Sequence, residues 1–268
     1  MTSRPRTLAL GHPHTPHYRS IAGVLFAFGD VEFAPEQRFR RPARLLARFR
    51  RGGFDQVLMP NPYGNPTRLR LYRALREAGA RIVVSERGAL PASWYFDHGF
   101  NADSPSYEPA RWNHPLSDAQ AEANRCHVEE LRSSSEALER QGRRRPPQEL
   151  RRDLGAAGRR LLLIPLQRPT DTVVQHFSGD VGGVEGVIQV AERLGAMLDA
   201  EDEPWRVILE KHPLEDQAPP LRGGHAVYAP DDTHVHDLLE LADAVLTLNS
   251  GVGVLALAFG KPTLVLGR

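Results

Sequence analysis

The chain has 268 residues with a formal net charge of +1, 41% hydrophobic and 25% charged content, and a single cysteine, Cys126. These values exclude an internal disulfide framework and a chain-wide basic field for nucleic acid. They fit one large or two ordinary soluble domains in a reducing compartment. No apolar run approaches the ~20 residues of a membrane span, and no charged-then-apolar leader pattern is present, so the expected location is cytoplasmic.

In chain order, residues 7–11 (TLALG) read as a strand, 18–28 as a helix and 31–33 as a short strand. Residues 41–50 read as a basic helix, 56–60 (QVLMP) as a strand, 66–78 as a helix ended by Gly79, and 81–86 (RIVVSE) as a strand. This alternation predicts a parallel sheet with helices on both faces. Residues 90–115, rich in Pro, Asp, Asn, Ser and aromatics, read as a long ordered loop, and 117–141 as a polar helical stretch. The Pro- and Arg-rich segment 142–158, containing RRRPP, is read as the linker between an N-terminal domain, 1–150, and a C-terminal one, 151–268.

The alternation resumes with strands at 161–166, 205–210, 226–228, 244–248 and 263–266, and helices at 184–198, 234–241 and 253–259. The fold class expected is α/β, with two doubly wound Rossmann-like lobes. Ligands of such sheets sit beyond the carboxyl ends of the strands, here in a cleft between the lobes.

Four of those strand ends are chemically loaded. After RIVVSE come Glu86, Arg87 and Gly88. A carboxylate there suits acid–base work, although a surface Glu–Arg pair before a turn is the plain alternative. After the strand 161–166 come Gln167, Arg168, Pro169, Thr170 and Asp171. Arg168 can fork onto a carboxylate or phosphate, and Asp171 is either a nucleophile or base or the N-cap of a helix starting at Thr172. After WRVILE come Lys211, His212 and Pro213, phosphate donors or a simple turn. After AVLTL come Asn249, Ser250 and Gly251 before an apolar helix, an anion site or a capped helix start. The sequence contains two lysines, Lys211 and Lys261, among its 34 basic residues; they fall in the motifs EKHP and FGKP, which chance accounts for. No D-x-D motif sits at a strand end, and Asp231–Asp232 reads as a helix cap region; no metal and no cofactor are expected.

The segments VVSERGALPASWYFDHGFNADSPSY, LIPLQRPTDTVV, VILEKHPLE and HDLLELADAVLTLNSGVGVLALAFGKPTLVLGR resemble the capsule polysaccharide biosynthesis (KpsC/KpsS-like) family, and within it the retaining β-Kdo glycosyltransferases. The likeness covers most of residues 80–268. It implies a GT-B-like fold and transfer of a Kdo-type ulosonic acid from a CMP-activated donor to a surface-glycan or lipid-linked acceptor. It assigns Asp171 as the nucleophile that forms a sugar adduct and Glu86 as the carboxylate taking the acceptor proton. His212, Ser250 and Gly251 would hold the CMP phosphate, and Gln167, Arg168, Lys211 and Asn249 would shape the donor pocket. The HP dipeptide is also similar to that of GT-B-like sialyltransferases; a sialyltransferase-like enzyme and a non-catalytic nucleotide- or glycan-binding remnant are the alternative readings. Where GT-B proteins continue, this sequence ends at LVLGR, so a shortened C-terminal lobe is expected.

Residues 38–51 (RFRRPARLLARFRR) interleave arginines with Phe39, Leu45, Leu46 and Phe49. Either this helix rests on the anionic inner face of the cytoplasmic membrane, as a peripheral protein would, or its apolar face packs on the sheet, with Pro42 breaking the pattern.

Overall fold

The computed structural model describes residues 4–268. Its contacts divide the chain into two units, one running through Gly88 and then Ser93–His114, the other comprising Ala89–Ala92 and Pro115–Arg268.

The first unit contains β1 (Arg6–Leu10), α1 (Pro16–Ser20), a 3-10 stretch (Ala22–Phe28), β2 (Asp30–Ala34), α2 (Pro42–Arg51), β3 (Gln56–Pro60), α3 (Pro66–Glu77), β4 (Ile82–Arg87), β5 (Trp94–Asp97) and α4 (Pro109–Trp112). Strand order is β2-β1-β3-β4-β5. All neighbours are parallel except β5, which runs antiparallel to β4 and sets Glu86 opposite Tyr95. Leu8, Ala9, Leu10 and Val57–Met59 are fully buried. Covered parallel sheets require such unbroken apolar strands.

The second unit contains α5 (Asp118–Ser133), α6 (Pro147–Asp153), β6 (Arg160–Pro165), α7 (Thr172–Phe177), α8 (Val184–Leu198), β7 (Trp205–Glu210), β8 (Ala226–Tyr228), α9 (Val235–Leu241), β9 (Ala244–Thr247), α10 (Val252–Ala258) and β10 (Thr263–Val265). Its sheet is wholly parallel, in the order β10-β9-β6-β7-β8. Successive side chains of a strand face opposite ways. Leu161, Leu163, Ile208 and Val245 therefore build one core with α9 and α10, while Leu162, Ile164, Val207 and Leu246 build another with α8. Strand succession reverses between β1 and β3 in the first unit and between β6 and β9 in the second. Those two switch points are where doubly wound sheets open a crevice.

Several elements differ from the sequence expectation. Residues 18–28 do not form one helix: α1 closes at Ser20 and a 3-10 stretch follows. The supposed loop 90–115 contains β5, held to β4 at a turn where Gly88 donates to the Ser93 carbonyl at 2.9 Å; a Cβ on Gly88 would meet Ser93 Oγ at 2.1 Å. Pro42 does not break α2 but opens it, where its missing N–H costs nothing, and α2 buries Leu45 while Arg48 pairs with Glu32. The packed-face reading of 38–51 is the one this helix adopts.

The division also falls earlier than the 142–158 linker, because that segment is part of the second unit. Leu150 and Leu154 enter its core with Leu131 of α5. Arg144 donates to Asp237, which is 2% exposed, and to Glu240, and the Arg145 N–H reaches Asp237 at 2.7 Å. Nearby, Gly142 lies so close to the Asp232 carbonyl that a Cβ would sit 1.5 Å from its oxygen. The Arg- and Pro-rich composition thus marks a clamp rather than a tether.

Candidate active site

In the second unit the loops after β6, β7 and β9 form one hydrogen-bonded network. Gln167 is buried, and its Oε1 accepts the Asn249 N–H at 3.2 Å, joining the β6 and β9 loops across the switch point. Asn249 Nδ2 donates to the carbonyls of Val173 and Phe177 at 3.1 and 3.2 Å, while its Oδ1 is buried without a hydrogen-bond partner. Ser250 Oγ accepts the Val252 N–H at 3.2 Å, a turn bond just ahead of α10, whose N-cap is Gly251. A side chain on Gly251 would crowd Ala89, 3.2 Å away.

Asp171 stands at the N-cap of α7 but makes no side-chain cap bond. Its Oδ2 instead accepts the Arg168 N–H at 3.2 Å. The helix starts at Thr172, as capping would demand, yet the carboxylate is not spent on capping. Arg168 sends Nε to Glu215 Oε1 at 2.8 Å.

Lys211, 13% exposed at its side chain, donates to the Glu215 carbonyl at 2.8 Å and pairs with Asp231 at 3.3 Å. It holds the loop after β7 rather than projecting outward. Residues 212–215 form a turn with Pro213 at its first corner, closed by the Glu215 N–H on the His212 carbonyl at 2.9 Å. Asp231 is consumed by Lys211, and the N-cap of α9 is His234, not the Asp231–Asp232 pair.

His212 is the electrostatic centre of this network. Its Nδ1 accepts the Leu214 N–H at 3.1 Å, so the neutral ring carries its proton on Nε2. Burial lowers its pKa, against the attraction of Asp171, Glu139 and Glu215 and together with the repulsion of Arg168. The ring is held as a neutral Nε2–H donor within the field of Asp171. Glu139 and Glu215 are participants that motif reading missed. Glu215 is the last residue of the quoted VILEKHPLE, given no role there, whereas Glu139 sits in a polar stretch with no distinguishing signal.

Beside this network is a recess of about 410 Å³ lined by Glu210, Lys211, Pro213, Asp231, Thr233 and Gln141 among others. Desolvation pushes the Glu210 carboxyl up to about 8, and Thr233 Oγ1 is buried without a partner.

Glu86 belongs to the first unit. It is the penultimate residue of β4, partly buried, its Oε1 accepting the Arg87 N–H at 2.8 Å. It lines a recess of about 580 Å³ with Gly11, His17, Glu36, Asn61 and Arg68. Gln167, Arg168, Lys211, His212, Asn249, Ser250 and Asp171 are thus brought together within the second unit, and Glu86 is placed in a strand-end recess of the first. Among the described residues, no group of three or more His, Cys, Asp or Glu side chains is placed to hold a metal ion, and no helix is long and apolar enough to cross a membrane.

Two α/β units, each on a largely parallel sheet with polar and charged residues at the strand ends, define a GT-B-like, Rossmann-type architecture. The family described as capsule polysaccharide biosynthesis protein matches residues 100–268, and the chain belongs to that family. Among solved structures it is similar to the Thermosulfurimonas dismutans KpsC β-Kdo 2,4 transferase, with a TM-score of 0.68, 14% identity, and coverage of 100% of this chain and 81% of that one. It is also similar to the β-Kdo 2,7 transferase of the same organism's KpsC, with a TM-score of 0.58, 15% identity, and coverage of 98% and 79%. These likenesses establish the fold. A comparison with curated proteins returns no match.

Proposed function

We propose that the chain is a retaining glycosyltransferase that moves a Kdo-type ulosonic acid from CMP to a hydroxyl of a surface-glycan or lipid-linked acceptor. The observation that carries this reading is the pairing of Asp171 and His212. One is a carboxylate at the β6 strand end left free of helix capping; the other is a neutral Nε2–H donor lying in that carboxylate's field. Kinship with the capsule family and the fold shared with two β-Kdo transferases support the choice of sugar.

The chemistry runs in two displacements. An Asp171 oxygen bonds to the anomeric carbon as the bond from that carbon to the CMP phosphate oxygen breaks, and the electron pair leaves with CMP. The Nε2–H of His212 stabilises the departing phosphate oxygen, a charge that develops only along the reaction. The acceptor hydroxyl then bonds to the anomeric carbon while its proton passes to Glu86 and the Asp171 carboxylate is released. Two inversions give retention. In this scheme the Asn249–Gly251 turn holds the phosphate, and the recess beside Lys211 receives the cytidine. Peripheral attachment at the inner membrane face belongs to the same reading, because a lipid-linked acceptor would lie there.

The test is intact mass after incubation with CMP-Kdo, in parallel with CMP-sialic acid. A Kdo-sized adduct on the wild type, absent from Asp171→Ala, is the expected result. CMP binding by thermal shift, with neither adduct nor turnover on any acceptor, would replace the transferase with a binding module. Turnover of CMP-sialic acid alone would change the sugar.

A further inference from the structure

The recess of the first unit lies at the switch point between β1 and β3, where Leu10–Gly11 and Pro60–Asn61 leave the sheet. Its polar walls can be accounted for bond by bond. Arg68 sends Nε to Glu36 Oε2 at 2.7 Å, Nη2 to Glu36 Oε1 at 3.2 Å and Nη1 to the Asn61 carbonyl at 3.0 Å. Glu36, 8% exposed, also accepts Asn65 Nδ2 at 2.9 Å. Each guanidinium nitrogen is therefore engaged by a protein acceptor. It is the one arginine lining the recess, against two glutamates, Glu36 and Glu86, which leaves a fixed charge of 1 − 2 = −1.

His17 has unused capacity there. Its Nε2 lies 2.8 Å from Ser85 Oγ. Ser85 is fully buried, and its hydroxyl donates to the Met59 carbonyl, an acceptor only, at 3.4 Å. With the hydroxyl proton turned to Met59, the serine oxygen accepts from His17, which sets the ring proton on Nε2 and leaves Nδ1 a bare lone pair. Burial, with Arg68 adding repulsion, pulls the His17 pKa down to about 4, which keeps the ring an acceptor at neutral pH. Tyr18 and Trp94 hold it edge-on, each with centroids 5.2 Å away. A ring fixed in tautomer and orientation, in a negatively charged strand-end recess, suits a neutral hydroxyl donor and disfavours a carboxylate.

We propose that this recess binds an uncharged sugar, one of whose hydroxyls donates to Nδ1 of His17 beside Glu86. The inference rests on the transferase reading only in taking that sugar to be the acceptor's terminal residue. His17 is then a positioning residue for the attacking hydroxyl, and acceptors ending in an acidic sugar are discriminated against.

The test needs no donor. Long-range proton–nitrogen NMR on the full chain, with histidine labelled by nitrogen-15, reads the tautomer directly. His17 is expected as Nε2–H, with a saturable upfield shift of Nδ1 on addition of methyl β-D-galactopyranoside or methyl β-D-glucopyranoside. The methyl glycoside of Kdo should give none. His17→Phe should abolish the sugar response. Glu86→Gln, which removes the negative charge without touching the His17–Ser85 bond, should admit the Kdo glycoside. If CMP-Kdo turnover is established, His17→Phe should raise the acceptor KM at least tenfold and leave the rate of Asp171 adduct formation unchanged. An Nδ1–H tautomer, no response to either neutral glycoside, or preference of the unaltered protein for the Kdo glycoside would each overturn the proposal. Those results leave the Asp171 adduct test untouched, and a missing adduct leaves the sugar-binding result untouched.

Discussion

Nδ1 of His212 accepts the backbone N–H of Leu214 at 3.1 Å, and that single bond fixes which ring nitrogen can serve a substrate. The two amide replacements separate the nitrogens. Gln places a donor near the Nε2 position but loses the Nδ1 acceptor; Asn does the reverse. If Nε2–H stabilises the departing phosphate, His212→Ala and His212→Asn should each lower kcat by about 10²–10³-fold, the usual cost of one such donor. His212→Gln should recover part of that loss. Equal activity of the Asn and Gln variants would assign His212 to loop structure alone.

Arg144 and Asp237 give a stability prediction independent of function. Asp237 is 2% exposed and is satisfied by the Arg144 guanidinium and the Arg145 N–H. Arg144→Ala strands a buried carboxylate, which typically costs about 3–5 kcal/mol. Arg144→Ala together with Asp237→Asn should recover a large share, since the charge is then gone. Urea unfolding of the full chain measures both. A loss under ~1 kcal/mol for Arg144→Ala, the range of an exposed pair, would show that the clamp is superficial.

The same pair explains what the sequence could and could not tell. Apolar runs such as 57–59 in the first unit and 161–164 in the second announced the two largely parallel sheets, because a strand covered on both faces has little choice of composition. RRRPP looked like a tether because nothing in the string shows that Arg144 meets Asp237, 93 positions away. β5 was hidden because its four residues, Trp94–Asp97, are all only partly buried. Asp171, His212 and Asn249 were legible as strand-end residues. His17 was not, because its tautomer depends on Ser85, 68 positions further on. Gln167 and Lys211 were legible as strand-end residues too, but the structure shows them bonded to Asn249 and to Glu215 and Asp231, bracing the loops.

Glu210 makes the fold sensitive to alkali. Desolvation raises its carboxyl from 4.5 to about 8, so between those values the native state binds a proton that the unfolded chain has released. Stability contributed by this group is complete below pH 4.5 and is lost as pH rises through 8. Glu210→Gln keeps the shape of the protonated acid and cannot ionise. It should be more stable than the wild type at pH 8, by on the order of 2 kcal/mol, and indistinguishable from it at pH 4. Matched urea midpoints at both pH values would remove Glu210 from the account.

His17 acts with the opposite sign. Its folded pKa of about 4 lies below the ordinary 6.5, so the unfolded chain binds the proton first. Its effect is nil above pH 6.5, and stability falls as pH drops from 6.5 to 4. His236 adds to the same slope. Burial lowers its pKa, its Nδ1 lies 3.1 Å from the Ser134 carbonyl, and its ring is 4.8 Å from that of His234 with Arg144 nearby. With the part-exposure of His17 discounted, its share is about 1–2 kcal/mol. His17→Gln can keep the hydrogen bond to Ser85 but cannot become charged in this range, so its stability should decline less steeply than that of the wild type between pH 6.5 and 4. His236→Gln should flatten the remainder. If both variants follow the wild-type acid curve, neither ring is held neutral and the Nδ1 lone pair of His17 is not available to a sugar hydroxyl.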